Sequence, residues 1–238
     1  MSDSLVIIPT YNEKGNIESI ARKVLSLPGD FHLLVIDDGS PDGTATIVKN
    51  LMNEFPDRLF IIERAGKLGL GTAYIAGFQW ALKKSYEFIF EMDADFSHNP
   101  EDLLRLKEAC VKGADLAIGS RYVKGGDVKN WDVKRVLMSY FASVYVRTVL
   151  WISVKDTTAG FKCYRRRVLE ALPLDNIKFI GYAFQIEMKY LTHKLKFKIV
   201  EVPITFIDRQ VGISKMSKGI FKEAFWGVIQ MRLGKHGK

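Results

Sequence analysis

Two carboxylates, Asp93 and Asp95, flank a single alanine directly after an apolar segment of the sequence. Such a pair can share a divalent cation such as Mg²⁺ or Mn²⁺, which prefers oxygen ligands and keeps water and substrate phosphates in its coordination shell. A cation there would neutralise a diphosphate leaving group as its bond breaks. Taken alone, the two residues are equally compatible with capping the helix that follows. An EF-hand is excluded, because His98 stands where that loop needs glycine and Leu104 where it needs glutamate.

Three more segments have residue types suited to a nucleotide. Residues 10–13 (TYNE) and 37–40 (DDGS) each follow an apolar run, and residues 66–71 (GKLGLG) are rich in glycine. Aromatic and acidic side chains at the first two segments can hold a base and a ribose, although both also suit a helix cap or a turn. The glycine segment has neither the P-loop nor the dinucleotide-binding spacing, so it fits backbone contact with a ligand and a plain turn equally well.

The elements around these segments indicate an α/β fold. Apolar runs predict strands at 5–8, 33–36, 59–62, 88–92 and 116–119, and helical spacing predicts helices at 17–27, 44–55, 71–84 and 100–110. Strands that alternate with helices form a mostly parallel, doubly wound sheet, and such sheets bind ligands beyond the carboxyl ends of their strands. We therefore expect the polar segments to converge on one edge of the sheet.

The second half of the chain has a different pattern. Residues 131–152 predict a long, aromatic-rich helix, and residues 195–207 predict strands near a sheet edge, where Pro203 is tolerated. Residues 214–238 are basic and amphipathic, with Phe221, Phe225, Trp226, Val228 and Ile229 as a candidate apolar face. The predicted organisation is a catalytic domain at 1–213 and a basic extension at 214–238.

The bulk composition narrows the class of partner. The 238 residues include 35 Lys and Arg against 27 Asp and Glu, a formal charge of +8, which favours nucleotides, phosphates, anionic lipid or nucleic acid. We expect no nucleic-acid partner, because no RNA-recognition, helix-turn-helix or zinc-ligand signature occurs. Cys110 and Cys163 have no metal-ligand spacing and indicate buried thiols in a reducing compartment. The N-terminus lacks a basic start, and Arg147 interrupts the longest uncharged stretch, so neither a signal peptide nor a membrane span is predicted.

Eight motifs in order give the chain a specific resemblance. They are 8–13 (IPTYNE), 35–44 (VIDDGSPDGT), 67–74 (KLGLGTAY), 92–98 (MDADFSH), 119–122 (GSRY), 156–162 (DTTAGFK), 181–188 (GYAFQIEM), and 208–209 (DR) with 212–215 (GISK). Together they resemble the family 2 glycosyltransferases of the GT-A fold, and among these the polyprenyl-phosphate (dolichyl-phosphate) mannose synthases. The resemblance spans almost the whole chain.

The resemblance implies a donor site and a metal site. Residues matching the guanosine-binding positions are Pro9, Tyr11, Glu13 and Asp38. Asp93 would lie beside the ribose and the metal, and Asp95 would be a ligand of Mg²⁺ or Mn²⁺. Ser97 stands where family members often have glutamine, and a water would bridge the shorter side chain to the metal. Arg209 and Lys215 match a loop that closes over the donor diphosphate. Arg209 is a catalytic candidate together with Asp93, Asp95 and Arg121, and Lys215 is expected to contact the donor.

The resemblance also implies the acceptor and the reaction. Arg121, Arg135 and Ser139 match positions that hold an acceptor phosphate. The expected reaction is inverting transfer of mannose from GDP-mannose to a polyprenyl monophosphate, with a UDP-glucose-dependent transfer as the alternative. A phosphate monoester has a second pKa near ~6, so it is anionic at pH 7 and needs no general base. Glu187, near the place of the base in related enzymes, is expected to have a structural or positioning role.

A lipid acceptor stays in the bilayer, so the enzyme must come to it. The aromatic residues of 131–152 and the basic segment 214–238 suit a lipid interface, although packing of the same aromatics on the core is equally compatible with the pattern. The expected location is the cytoplasmic face of a membrane. Attachment there would be peripheral, either direct or through a membrane-anchoring protein partner.

Overall fold

The structure, a computed structural model, describes residues 2–208 and 218–234 of the chain. The strands in this part are β1 (Ser4–Thr10), β2 (Phe31–Asp37), β3 (Leu59–Glu63), β4 (Phe88–Glu91), β5 (Leu116–Ser120), β6 (Asp127–Lys129), β7 (Lys162–Arg165), β8 (Ile199–Pro203) and β9 (Thr205–Ile207). The α-helices are α1 (Ile17–Leu25), α2 (Thr44–Met52), α3 (Leu70–Leu82), α4 (Asp102–Val111), α5 (Val133–Leu150), α6 (Arg166–Ala171), α7 (Tyr182–Lys194) and α8 (Lys218–Arg232). A 3₁₀ turn spans Leu174–Asn176.

The central sheet has the strand order β3-β2-β1-β4-β7-β5-β8. All neighbouring strands are parallel except β7, which runs antiparallel to both β4 and β5. β6 and β9 form a separate two-stranded parallel ribbon. The predicted α/β fold with a mostly parallel sheet is confirmed.

Both faces of the sheet are covered, because side chains of a strand alternate between its two faces. Leu5 and Ile7 of β1 pack into one apolar cluster with α3, and Val6 and Ile8 pack into a second cluster with α1. None of the four is exposed to solvent. This double burial explains why the strands appear in the sequence as continuous apolar runs.

The predicted elements form with ends shifted by a few residues. The long aromatic helix is α5, which begins after Asp132, whose side chain accepts a hydrogen bond from the Arg135 N–H at 2.8 Å. β8 lies at the edge of the sheet and ends at Pro203, as expected. β7 was not predicted, because its sequence KCYR contains charged residues rather than an apolar run.

The glycine segment serves helix packing. Gly69 has φ of +105°, a conformation that favours glycine, and a Cβ on Gly71 would lie 2.8 Å from the Phe184 ring. The Gly71 N–H also donates to the Ile180 carbonyl at 2.8 Å. These glycines therefore let α3 start in close contact with the segment that leads into α7.

Helix α8 packs against α5 and α7. Val228 and Met231 are buried in the core, whereas Phe225 and Trp226 are exposed. Of the five residues expected on one apolar face, Val228 is therefore in the core, Phe225 and Trp226 are partly exposed, and the Phe221 side chain lies outside the described ones. The domain boundary at 213 stays a prediction and lies outside the described residues.

Candidate active site

The segments after β1 and β2 are joined by hydrogen bonds at the carboxyl edge of the sheet. Thr10 Oγ1 donates to Asp37 Oδ1 at 2.9 Å, and the Asn12 N–H donates to Ser40 Oγ at 2.9 Å. β4 is the other neighbour of β1, so the segment after β4 leaves the sheet at the same edge. The expected convergence of the three polar segments is confirmed.

Three of the expected donor-binding residues lie on the first segment. Pro9 is the penultimate residue of β1. The Lys67 ammonium lies 5.4 Å from the centroid of the Tyr11 ring, an arrangement that attracts a cation to the aromatic face. Glu13 accepts a hydrogen bond from Asn16 Nδ2 at 2.9 Å. Lys67 was not among the expected site residues, although its ring contact places it beside the expected base position.

The fourth expected donor-binding residue, Asp38, is buried and bonded to Arg64. Arg64 Nε donates to Asp38 Oδ1 at 2.7 Å, and Arg64 Nη1 donates to Thr72 Oγ1 of α3 at 2.8 Å. Arg64 therefore connects the end of β2 with the start of α3. A ribose or base at Asp38 would share this carboxylate with Arg64. Sequence reasoning missed Arg64, because it lies outside every motif with an obvious chemical role.

The paired carboxylates follow β4 without entering a helix. Asp95 is mostly buried and its Oδ1 accepts from the Ser97 N–H at 3.1 Å, while the Asp93 side chain is 41% exposed. Phe96, which lies between Asp95 and Ser97, has φ of +59°. This backbone conformation is strained for a bulky side chain and is typical of functional turns. Where α4 begins, it is Asn99 Oδ1 that accepts from the Glu101 N–H, which counts against the capping alternative.

The donor set at this turn fits a divalent cation. Two carboxylates can supply part of an oxygen shell that Mg²⁺ or Mn²⁺ completes with water and substrate phosphates. Ser97 Oγ is buried with no hydrogen-bond partner within the described ranges, so one more oxygen lies next to Asp95. No group of three or more acidic, histidine or cysteine side chains in those ranges surrounds a common metal position.

A buried imidazole connects the carboxylates to the next part of the site. His98 Nδ1 lies 3.9 Å from Asp93 Oδ2, and the ring stacks on Phe161 at 4.8 Å between centroids. The imidazole also lies in a T-shaped arrangement with the Phe206 ring, at 5.5 Å between centroids. Burial lowers the pKa of His98 to about 4, so the ring is neutral at pH 7; the Asp95 carboxylate partly opposes this shift.

Arg121 makes a bidentate ion pair with a fully buried carboxylate. Its Nε and Nη2 donate to the two oxygens of Asp156, both at 2.7 Å, and Nη2 also donates to Thr158 Oγ1 at 2.8 Å. Burial by itself would raise the pKa of Asp156, but the charge and hydrogen bonds of Arg121 lower it overall. The Arg121 Cζ atom also lies 5.5 Å from the ring centroids of both Trp131 and Phe206.

Arg135 lies in the first turn of α5 and approaches the same indole. Its Cζ atom is 4.1 Å from the Trp131 ring centroid, and its Nη1 donates to Asp208 Oδ2 at 2.7 Å. Ser139 lies one turn further along α5 and is half-buried. The structure thus brings together Arg121 and Arg135, both expected at the acceptor phosphate. Arg209 and Lys215 lie outside the described residues.

Glu187 is buried in α7, and its Oε2 accepts from the backbone N–H groups of Lys178 and Phe179, each at 3.0 Å. Burial raises the pKa of Glu187, and these two hydrogen bonds partly oppose the shift. The carboxylate therefore holds the segment before α7, which also accepts a hydrogen bond from α3 at Ile180. These contacts agree with the expected structural role.

The fold and the site define a class of enzyme. The model of the glycosyl transferase family 2 matches residues 5–172. The chain belongs to this family and is a glycosyltransferase. It is similar to the polyprenol monophosphomannose synthase of Mycolicibacterium smegmatis, with 48% identity over 230 residues that cover 94% of this chain and 87% of the relative. It is also similar to the undecaprenyl-phosphate mannosyltransferase of Micrococcus luteus, with 45% identity over 229 residues, 96% of this chain and 93% of the relative.

Solved structures agree on the fold. Glucosyl-3-phosphoglycerate synthase from Mycobacterium tuberculosis, in complex with Mn²⁺, UDP and phosphoglyceric acid, superposes with a TM-score of 0.72 and 18% identity, covering 98% of this chain and 79% of that one. A mannosyltransferase from Pyrobaculum calidifontis, in complex with GDP-Man and Mn²⁺, gives a TM-score of 0.60 and 16% identity. The superposition covers 98% of this chain and 63% of that one. The GT-A architecture is therefore shared across a wide range of sequences.

Two packed helices carry large apolar side chains that are exposed to solvent. Large apolar side chains are exposed on α5 and on α8; they are Val133, Leu137, Met138, Tyr140, Phe141, Phe225 and Trp226. Tyr145 of α5 stacks on Phe225 of α8 at 4.9 Å between centroids, so the two helices present these side chains together. We call these seven residues the α5–α8 apolar surface. In the described ranges, no helix combines the length and the apolar character that a membrane span needs.

Proposed function

We propose that this chain transfers mannose from GDP-mannose to the phosphate of a polyprenyl monophosphate. Support comes first from its relatives, since two proteins that cover most of its length at 45–48% identity are named for polyprenol monophosphomannose synthesis and undecaprenyl-phosphate mannosyl transfer. The donor nucleotide is proposed from the motif match at Pro9, Tyr11, Glu13 and Asp38, and a fold neighbour bound to GDP-Man is compatible with it.

One geometric observation carries the proposal. The Phe206 ring contacts His98, which lies beside Asp93, and it also lies 5.5 Å from the Arg121 Cζ atom. The carboxylate turn and Arg121 are therefore linked through two adjacent rings, which supports the proposal that they belong to one site. A sugar diphosphate at the carboxylates and a phosphate monoester at the arginines would lie side by side, in contact with each other.

The chemistry then follows from the charges. A Mg²⁺ or Mn²⁺ ion at Asp93 and Asp95 supplies positive charge to the diphosphate when bound. Arg121 and Arg135 orient the acceptor phosphate, whose oxygen forms the new bond to C1 of the mannose. The bond between C1 and the diphosphate oxygen breaks, and GDP leaves with its electron pair. No proton has to be removed from the attacking oxygen, and the attack inverts C1.

The α5–α8 apolar surface supports a membrane location for the acceptor. It begins at Val133, two residues before Arg135, so a lipid tail leaving the arginine pair would reach it directly. Exposed aromatic and aliphatic side chains of this kind suit the headgroup boundary of a bilayer. We propose that this surface rests on the membrane that holds the polyprenyl chain.

A donor comparison tests the proposal. Purified protein is incubated with detergent-solubilised polyprenyl phosphate and labelled GDP-mannose or labelled UDP-glucose, with Mg²⁺ or Mn²⁺ and with EDTA. We expect labelled lipid from GDP-mannose alone, and none with EDTA. Lipid labelled from UDP-glucose alone would overturn the donor assignment, and no labelled lipid from either donor would overturn the reaction.

A matched pair of variants tests the metal site in the same assay. Asp95→Asn should lower kcat at least about 100-fold, because charge stabilisation at the leaving group is lost. Asp102→Asn is the control, since Asp102 is as buried as Asp95 (8% against 9% exposed) but pairs with Arg105 on α4. Equal activity of the two variants would contradict a metal role for Asp95.

A further inference from the structure

The Trp131 indole is in contact with two cationic side chains. The Arg135 Cζ atom lies 4.1 Å and the Arg121 Cζ atom 5.5 Å from the centroid of its ring. Phe206 packs edge-on against the same indole at 5.2 Å between centroids. Trp131 stands just before α5 and Arg135 lies in its first turn, whereas Arg121 follows β5, so the ring contacts one local and one distant arginine.

Each guanidinium group also forms an ion pair with a carboxylate. Arg121 is bonded to Asp156 and Arg135 to Asp208, and these carboxylates belong to different segments of the chain. Neither ion pair sets the distance from one guanidinium to the other. The indole ring is a contact that both guanidinium groups share, so it can set that distance.

An aromatic ring is physically suited to this task. The negative face of the indole attracts a guanidinium group, and the attraction grows as the pair is shielded from water. Two cations held near each other repel, so contacts with one ring offset part of the cost of keeping them close. Tryptophan is the strongest of the aromatic side chains in such contacts.

We propose that Trp131 is a positioning residue for the acceptor phosphate. It acts through Arg121 and Arg135, whose guanidinium groups it keeps at the spacing that a phosphate monoester bridges. This inference rests on the proposed function and adds a residue that sets acceptor affinity. It assigns Trp131 no contact with the donor nucleotide.

Two substitutions distinguish the contribution of the aromatic ring of Trp131 from that of an apolar side chain without a ring. Trp131→Leu removes the aromatic face, and Trp131→Phe keeps a smaller one. With a short-chain prenyl phosphate in detergent and saturating GDP-mannose, we expect the acceptor KM to rise about 10-fold in Trp131→Leu and less than about 3-fold in Trp131→Phe. The KM for GDP-mannose should stay within about twofold of the unsubstituted enzyme in both variants.

Trp80→Leu is the matched structural control. Trp80 is also half-buried and has a cation over its ring, the Lys84 ammonium at 5.4 Å, but it lies on α3 and packs with Phe60 and Tyr86. This variant should lose stability without a rise in acceptor KM. Equal acceptor KM values in Trp131→Leu and the unsubstituted enzyme, or a rise of the same size in Trp80→Leu, would overturn the inference. Failure of the unsubstituted enzyme to label the acceptor would instead count against the proposed function.

Discussion

The Lys162 ammonium lies 2.9 Å from the Glu91 carboxylate, and neither side chain is exposed to solvent. Gln185 Nε2 donates to the second oxygen of Glu91 at 2.8 Å, and Lys162 Nζ also donates to the Tyr164 hydroxyl at 2.9 Å. Glu91 is the last residue of β4, two positions before Asp93. The ion pair therefore fixes the strand end from which the candidate metal ligands emerge.

Breaking this pair on one side should be costly. Lys162→Met leaves Glu91 buried without its counter-charge, and we expect the free energy of unfolding to fall by about 3–5 kcal/mol. The double variant Lys162→Met with Glu91→Leu removes both charges and should recover most of that loss, as measured by urea denaturation. A double variant no more stable than Lys162→Met would show that the charge imbalance is not the cause.

Arg135 should act on the acceptor alone. Replacing it with alanine removes one guanidinium of the proposed phosphate site, so the acceptor KM should rise at least about 10-fold, with little change in the KM for GDP-mannose. Arg105→Ala is the control, since Arg105 also pairs with an aspartate, Asp102, but lies on α4. A larger effect on the donor KM than on the acceptor KM would contradict the assignment.

Glu187 should make stability depend on pH. Its pKa is raised in the folded state because the carboxyl is buried, so its stabilising contribution is complete below the unfolded-state pKa near 4.5 and is lost as pH rises through the folded-state pKa. Relative to Glu187→Gln, the free energy of unfolding of the native protein should therefore decrease as pH rises from 4 to about 7. Equilibrium denaturation across this range measures the difference.

The control for that measurement is an exposed carboxylate. Glu170 lies on the surface of α6 beside Arg166, and Glu170→Gln measures what the same substitution does to the pH profile of unfolding at an exposed position. If the free energy of unfolding of Glu187→Gln changed with pH in parallel with that of the native protein, the Glu187 carboxyl would be no easier to protonate in the folded state than in the unfolded state.

The α5–α8 apolar surface should control membrane binding. Leu137→Ser combined with Phe141→Ser removes two exposed apolar side chains, so affinity for anionic lipid vesicles should drop at least about 10-fold in a flotation assay. Activity on a short-chain acceptor in detergent should persist. Val111→Ser is the control, because Val111 is as exposed as Phe141 but lies on α4. Equal vesicle binding by the unsubstituted protein, the double variant and Val111→Ser would contradict the membrane role of this surface.

Much of the fold could be predicted because its strands are buried on both faces. The runs that became β1, β2 and β5 are apolar throughout, and this pattern locates a strand without tertiary information. β7 could not be found in this way, since the charge of its buried Lys162 is balanced by Glu91, which lies far away in the sequence. The strand propensity of a residue depends on its near neighbours in the sequence, so it cannot indicate an ion-pair partner that is distant in the sequence.

The same limit applies to the candidate site. Asp93 and Asp95 were expected from their spacing and Arg121 and Arg135 from the family resemblance, and the structure brings the two arginines onto one indole. Their neutralising partners were not expected as partners, because an ion pair such as that of Arg121 with Asp156 depends on how loops meet in space. The roles of these residues in binding remain predictions.

The central claim is that the acceptor is a lipid phosphate. Its most direct test offers the enzyme labelled GDP-mannose and Mn²⁺ with either a polyprenyl phosphate or the corresponding polyprenol, followed by mass spectrometry of the lipid. We predict that the polyprenyl phosphate alone gains one hexose, joined through its phosphate, with one GDP released for each lipid. Transfer of mannose to the free polyprenol at a comparable rate, or a product in which the hexose is not attached to the phosphate, would contradict the account.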